Sequence, residues 1–198
     1  MIRVGLTGGI GSGKTTVAKV FQTIGIPVYF SDTKAKYLMS HSEEIRTKLV
    51  EIFGQQAILN DYSINRQFLA NEVFTNQDKL KILNSIVHPV VINDFEKWAN
   101  EQKSPYVINE SAILFESGIY KQLDKNIVVM ADEQIRIERT IRRDKINKQQ
   151  VLERIQNQTD DETRKKLADF FIYNNNNDMI INQVLQIHDK LWENSQNG

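Results

Sequence analysis

Short apolar runs and stretches of helical spacing alternate along this chain. Ile2-Arg3-Val4-Gly5-Leu6 is β-compatible, and Val17, Val20, Phe21 and Ile24 then recur at i, i+3, i+4 and i+7, the stripe of one buried helix face. Ile26–Phe30, Tyr106–Asn109, Ile127–Met130 and Phe170–Tyr173 are further strand candidates, and Ile180, Val184, Ile187 and Leu191 line one face of a final helix. Strands separated by helices predict an α/β fold with a doubly wound, five-stranded parallel sheet.

Two segments exceed what crossovers require. Between the second and third strands the apolar spacing is helical throughout: Ile45, Leu49, Ile52 and Phe53, ending at Gly54; Leu80, Leu83 and Val87; then Val91, Phe95 and Trp98. Residues 33–100 therefore read as a helical insert, which either holds an acceptor substrate or enlarges the core. After the fourth strand, Arg136, Arg139 and Arg143 fall on one helix face with Arg142 beside them, and Asn147 with Gln150 resembles a capping box opening another helix. Residues 137–165 read as a small helical lid or, on the blander reading, as a solvated basic face.

The chemistry begins at Gly8. Gly8, Gly13, Lys14 and Thr15 complete the pattern G-x-x-x-x-G-K-[ST] between the first strand and the first helix. Glycines there let amides from Gly9 to Thr16 turn inward around phosphate oxygens, and the helix that follows adds its N-terminal partial positive charge. Lys14 is a point charge for the outer phosphates, and the Thr15 hydroxyl is a ligand for Mg2+ that keeps most of its waters. The fold class is thereby a P-loop NTPase-type α/β domain spanning 1–198, with the insert and lid as elaborations. Asp32, just past the second strand, is either the group that accepts the attacking hydroxyl's proton or the N-cap of a helix beginning near Thr33. Glu110, ending the third strand, is either a water-mediated magnesium partner or an ordinary exposed acid.

Composition removes some classes. The 25 basic and 25 acidic residues cancel, so no global field favours nucleic acid or an anionic membrane. No cysteine is present, which excludes a disulfide framework and fits a reducing compartment. The strand-like start leaves no room for a signal peptide, and no apolar run approaches membrane-spanning length. A cytoplasmic protein, monomeric by default, is expected.

The motifs, taken together, resemble the dephospho-CoA kinase family along nearly the whole chain. Leu6 to Ala18 is similar to that family's phosphate loop, with Thr15 where serine is more frequent. Asp32 resembles the second aspartate of its Asp-Ala-Asp segment, although Phe30 and Ser31 replace the first two residues. His88-Pro89 resembles its His-Pro pair, and Ile113-Leu114-Phe115-Glu116 its Pro-Leu-Leu-Phe-Glu, with Ala112 in place of proline. Gln134 to Asp144, Arg154-Ile155 with Gln158, and Ala168-Asp169 with Ile172 and Asn174 resemble its lid helix, Arg-Ile-x-x-Gln signature and terminal segment. The usual glycine after that asparagine is absent, so the Asn174 to Asn177 run is expected to turn through asparagines at positive φ.

The resemblance implies transfer of a phosphoryl group from ATP to the ribose 3′-hydroxyl of dephospho-CoA. Its catalytic residues would be Asp32, Lys14, Arg139 and Arg143. ATP would be held by Gly9, Ile10, Gly11, Ser12, Gly13, Lys14, Thr15, Thr16 and Asn174, the acceptor by Asp32, His88 and Glu116, and magnesium by Thr15, with Glu110 acting through water. Two rival readings share the loop: another small-molecule kinase, and a non-catalytic nucleotide switch. The chain has no Asn-Lys-x-Asp motif that a guanine-reading switch would carry.

Overall fold

The computed structural model describes residues 1–74 and 76–196. In chain order the elements are β1 (Ile2–Gly8), α1 (Lys14–Thr23), β2 (Val28–Phe30), α2 (Ser31–His41), α3 (Glu43–Phe53), α4 (Arg66–Phe74), α5 (Gln77–Asn100), β3 (Tyr106–Glu110), β4 (Lys125–Met130), α6 (Glu133–Asp144), α7 (Lys148–Gln156), α8 (Asp161–Leu167), β5 (Phe170–Tyr173) and α9 (Ile180–Gln196). They cluster into two compact units, Met1–Phe30 with Glu101–Gly198, and Ser31–Asn100.

The first unit is a five-stranded sheet in the order β2-β3-β1-β4-β5, parallel at every pairing. After β1 the chain moves to one side for β2 and β3, then crosses to the other for β4 and β5. The reversal falls at the carboxyl end of β1, the place where open α/β sheets collect ligands. Val4, Leu6, Ile108, Ile127, Val129 and Ile172 bury one side chain layer against Val17, Ala18 and Phe21 of α1 and Val184, Ile187 and Leu191 of α9. Each such side chain contributes about 1.5–3 kcal/mol relative to exposure.

The expected β2 starts two residues early. Ile26 N–H donates to the Phe21 carbonyl at 3.0 Å and so is tied back to α1, while Pro27 has no N–H to give a ladder and only accepts, from Ile108 at 3.0 Å. β1 runs on to Gly8 because its neighbour β4 pairs that far, Gly8 opposite Val129.

The second unit is helical. Its core is Ile45, Leu49, Ala57, Ile64, Leu69, Ile86, Val87, Val91, Phe95 and Ala99. Ile52, expected on the buried stripe, is 52% exposed. It lies in the last turn of α3, which Gly54 ends at φ 80°, beyond the packed stretch. The spacings around Leu83 and Phe95, which suggested two elements, belong to the single helix α5 with Pro89 inside it. A proline there gives up the bond to the Ser85 carbonyl one turn back, and packing of Ile86, Val87, Val91 and Phe95 on both sides holds the helix together regardless.

His88 is therefore a mid-helix residue. Burial pushes its pKa below the ordinary histidine value. The unfolded chain then binds the proton more readily than the fold does. Stability attributable to His88 is complete above about pH 6.5 and declines as pH falls below it. Urea denaturation at pH 7.5 and pH 5.5 is expected to show a larger loss on acidification for the wild type than for His88→Gln; equal losses would remove this assignment. Among the described residues no helix is long and apolar enough to cross a membrane.

Candidate active site

The loop Gly8–Thr15 leaves β1 at the switch point and enters α1. Gly11 and Gly13 take φ of 78° and 92°. Space makes the same demand: a Cβ on Gly13 would stand 2.1 Å from Asn174 Nδ2, and one on Gly11 2.3 Å from the Arg136 carbonyl oxygen. Gly13 is the N-cap of α1 and offers no side chain to its first turn. The start of α1 therefore has no side-chain cap, and the helix dipole favours an anion there.

Hydrogen bonds within the loop and from distant residues shape it. Ser12 N–H donates back to the Gly9 carbonyl at 3.0 Å, closing the bend. Asn174 Nδ2 donates to the Ser12 carbonyl at 2.7 Å, while the Asn174 N–H donates to Met130 at 2.8 Å and its carbonyl accepts from Arg139 Nη1 at 2.8 Å. Buried Asn174 therefore ties the loop to the end of β4 and to α6. Gln158 Oε1 accepts from the Ile10 N–H at 2.8 Å.

Thr15 and Glu110 come together. Thr15 Oγ1 donates to Glu110 Oε1 at 3.2 Å, and Glu110 is only 4% exposed, which answers the alternative of an ordinary surface acid. Parallel pairing explains the meeting: Glu110 ends β3 directly opposite Leu6 of β1, just before the loop. Among the described residues no group of three His, Cys, Asp or Glu could hold a metal by itself. One hydroxyl and one carboxylate suit Mg2+, which takes few protein oxygens and fills its shell with water and phosphate.

The arginines of α6 divide. Arg136 and Arg164, 4% and 3% exposed, share Asp161 at 3.0 and 2.8 Å. Arg139 faces the Asn174 carbonyl, with Asn176 Oδ1 at 3.5 Å. Arg143 is 61% exposed in its side chain and pairs with Asp144 at 2.7 Å, to which Arg154 also donates at 2.8 Å. The Arg143 guanidinium holds the Asp144 carboxyl below the usual range, and Asp144 in turn raises the Arg143 value. The capping box of Asn147 and Gln150 is present as read, opening α7. Glu116 Oε1 accepts from the Thr159 N–H at 2.7 Å.

Two local expectations are corrected. The turn after β5 uses no left-handed asparagine; among the described residues only Tyr62 and Lys145 are non-glycines at positive φ. The Asp178 side chain accepts from the Asn175 N–H at 2.7 Å, and Asn175 accepts from the Asp178 N–H at 3.3 Å, so side-chain bonding turns the chain without glycine. Nor is Asp32 a helix cap. α2 begins at Ser31, which places Asp32 within the first turn, where its charge suits the helix dipole. It lies two residues past Phe30, the register partner of Glu110. Asp32 and His88 both belong to the helical unit, the remaining candidates to the sheet unit.

Sequence reading gave no role to Gln158 as a ligand of the loop or to Asp161 as the counter-charge of two buried arginines. The partners of the first lie 148 residues apart, and periodicity carries no trace of such a pairing.

A glycine-rich phosphate loop at the switch point of a parallel sheet, with a hydroxyl and a buried carboxylate at its helix start, defines a P-loop nucleotide-using enzyme. Within that class the chain belongs to the dephospho-CoA kinase family, whose model matches residues 2–179. It is 39% identical over 188 residues to the dephospho-CoA kinase of Porphyromonas gingivalis, covering 94% of this chain and 93% of that one. Among solved structures it resembles a Thermus thermophilus protein with a TM-score of 0.84 and 29% identity, over 96% of each chain. It also resembles the dephospho-CoA kinase from Campylobacter jejuni with a TM-score of 0.68 and 25% identity, over 97% of this chain and 98% of that one.

Proposed function

We propose that this chain transfers the γ-phosphoryl group of ATP to the ribose 3′-hydroxyl of dephospho-CoA, giving coenzyme A and ADP, the last step of coenzyme A assembly. The supporting observation is the loop itself: a glycine-rich turn running into a helix start with no side-chain cap, beside Lys14 and the Thr15–Glu110 pair. Family membership supplies the acceptor.

Phosphoryl transfer is largely positioning and charge neutralisation. The loop Gly9 to Thr16, through those of its amides not bonded within the protein, and the Lys14 ammonium hold the β- and γ-phosphates. Thr15 and Glu110 are the residues that would hold Mg2+, which would neutralise phosphate charge there. Asp32 takes the proton as the 3′-oxygen bonds to the γ-phosphorus, and the bond from that phosphorus to the bridging oxygen breaks to release ADP. Arg139 and Arg143 bring positive charge to the phosphates as segment 137–165 closes, which also excludes water. Residues 33–100 hold the acceptor, with His88 in that region and Glu116 outside it contributing. We place the reaction in the cytoplasm, carried out by a monomer.

The test is a coupled assay. Purified protein with magnesium-ATP is expected to form ADP and coenzyme A in equal amounts from dephospho-CoA. Nucleosides, nucleotides and shikimate serve as competing acceptors in the same screen. Preferential use of any of these would replace the acceptor assignment, and slow hydrolysis with no acceptor would favour the nucleotide switch.

A further inference from the structure

One amide of the phosphate loop is engaged by a side chain from a distant turn. The Ile10 N–H donates to Gln158 Oε1, which reaches in from the turn between α7 and α8. Ile10 stands between Gly9 and Gly11, so sterics do little to fix the orientation of its peptide and a hydrogen bond must.

The turn that carries Gln158 is itself pinned on two sides. Glu116, in the loop after β3, accepts from the Thr159 N–H at 2.7 Å. Asp161, at the start of α8, binds both Arg136 and Arg164. Those guanidiniums are buried against the loop, and a Cβ on Gly9 would come within 2.1 Å of Arg136 Nη1. Pulling Asp161 away would leave two buried cations uncompensated, so this end of the lid segment is a fixed anchor.

We propose that Gln158 is a positioning residue for phosphoryl transfer. Its side-chain carbonyl sets the Ile10 peptide, and with it the direction in which the following amides meet the phosphates. Glu116 acts through Thr159 on the same turn. A neutral amide suits the task because it accepts the hydrogen bond without bringing negative charge toward a triphosphate. This inference rests on the phosphotransfer reading above and adds to it a rigid link from the phosphate loop to the lid hinge and the loop after β3.

The decisive variants are Gln158→Met, which keeps length and loses the acceptor, and Glu116→Ala, with Asn157→Ala as an exposed control in the same turn. For Gln158→Met, kcat is expected to fall about tenfold, the equivalent of one lost hydrogen bond, with KM for dephospho-CoA unchanged and Tm near wild type. Hydrogen exchange at the Ile10 amide is expected to accelerate. Glu116→Ala should show the same kcat signature, and the double variant should cost no more than the worse single. Should Gln158→Met fail to fold, Gln158→Asn, one methylene too short to reach, repeats the test.

The proposal is overturned by a folded Gln158 variant with kcat within twofold of wild type, by unchanged Ile10 exchange, or by single effects that multiply. It is also overturned if Glu116→Ala leaves kcat intact, whatever its effect on KM for dephospho-CoA, because the carboxylate would then act on the acceptor alone and not on the turn that carries Gln158. A wild type that does not phosphorylate dephospho-CoA would sink the functional reading instead, and Ile10 exchange would still judge the link.

Discussion

Lys14→Met is expected to lower turnover roughly a thousandfold while leaving the fold intact, the largest effect foreseen for any residue of the sheet unit. The reasoning starts from position. Lys14 is the first residue of α1, directly after Gly13, whose left-handed backbone turns the chain so that the helix start faces the loop interior. Methionine preserves the aliphatic stem and helix propensity and removes only the charge, so stability should be close to wild type. The lost charge matters more as negative charge shifts toward the β-phosphate oxygen in the transition state, where a preorganised cation is worth more than in water. The coupled assay and calorimetric titration with magnesium-ATP read the effect, and a melting curve checks the fold. Turnover within tenfold of wild type would show that the lysine does not meet the outer phosphates.

Much of this site was readable because it rests on local rules. The phosphate loop requires left-handed backbone at fixed offsets, and glycine records that requirement in the sequence; Gly11 and Gly13 both adopt it. β5 matches its expected bounds because Phe170–Tyr173 is an apolar run ended by turn-forming asparagines, and the capping box at Asn147 and Gln150 is a three-residue pattern with one geometry. Parallel strands also carried Glu110 to its place, since a carboxylate ending a neighbouring strand lies at the same sheet edge as the loop.

What stayed hidden depends on contacts between distant residues or on packing that overrides a local rule. Pro89 reads as a break, yet α5 passes through it because four buried apolar residues hold both halves. α4 gives little signal: of its apolar residues only Leu69 is buried, and Phe74 is 87% exposed, so no stripe forms. Asn174 is read in the sequence only as one of the residues that hold ATP. Its side chain grips the Ser12 carbonyl 162 residues away, a partnership that only the sheet's closure of β4 on β5 creates. Arg136 looked like one of several lid cations, and its burial with Arg164 on Asp161 sets it apart from Arg143, which stays on the surface.

Asp32→Asn carries the second large expected effect, a fall in kcat of about a hundredfold to a thousandfold with KM for ATP little changed. The substitution keeps side-chain volume and helix position, and an asparagine in the first turn of α2 still tolerates the helix start. Under the proposed mechanism, what it removes is the capacity to take a proton from the 3′-hydroxyl as that oxygen bonds to phosphorus. In the proposed site the nucleotide is held by the loop of the sheet unit, whereas Asp32 belongs to the helical unit, so the two kinetic constants should separate. Asp32→Ala distinguishes orientation from proton transfer. If the carboxylate only steers the hydroxyl through a hydrogen bond, asparagine should retain far more activity than alanine; if it takes the proton, both should be similarly impaired. An Asp32→Asn enzyme with near wild-type kcat would refute the base assignment while leaving the Lys14 prediction standing, because the loop's hold on the phosphates does not depend on which group receives the proton.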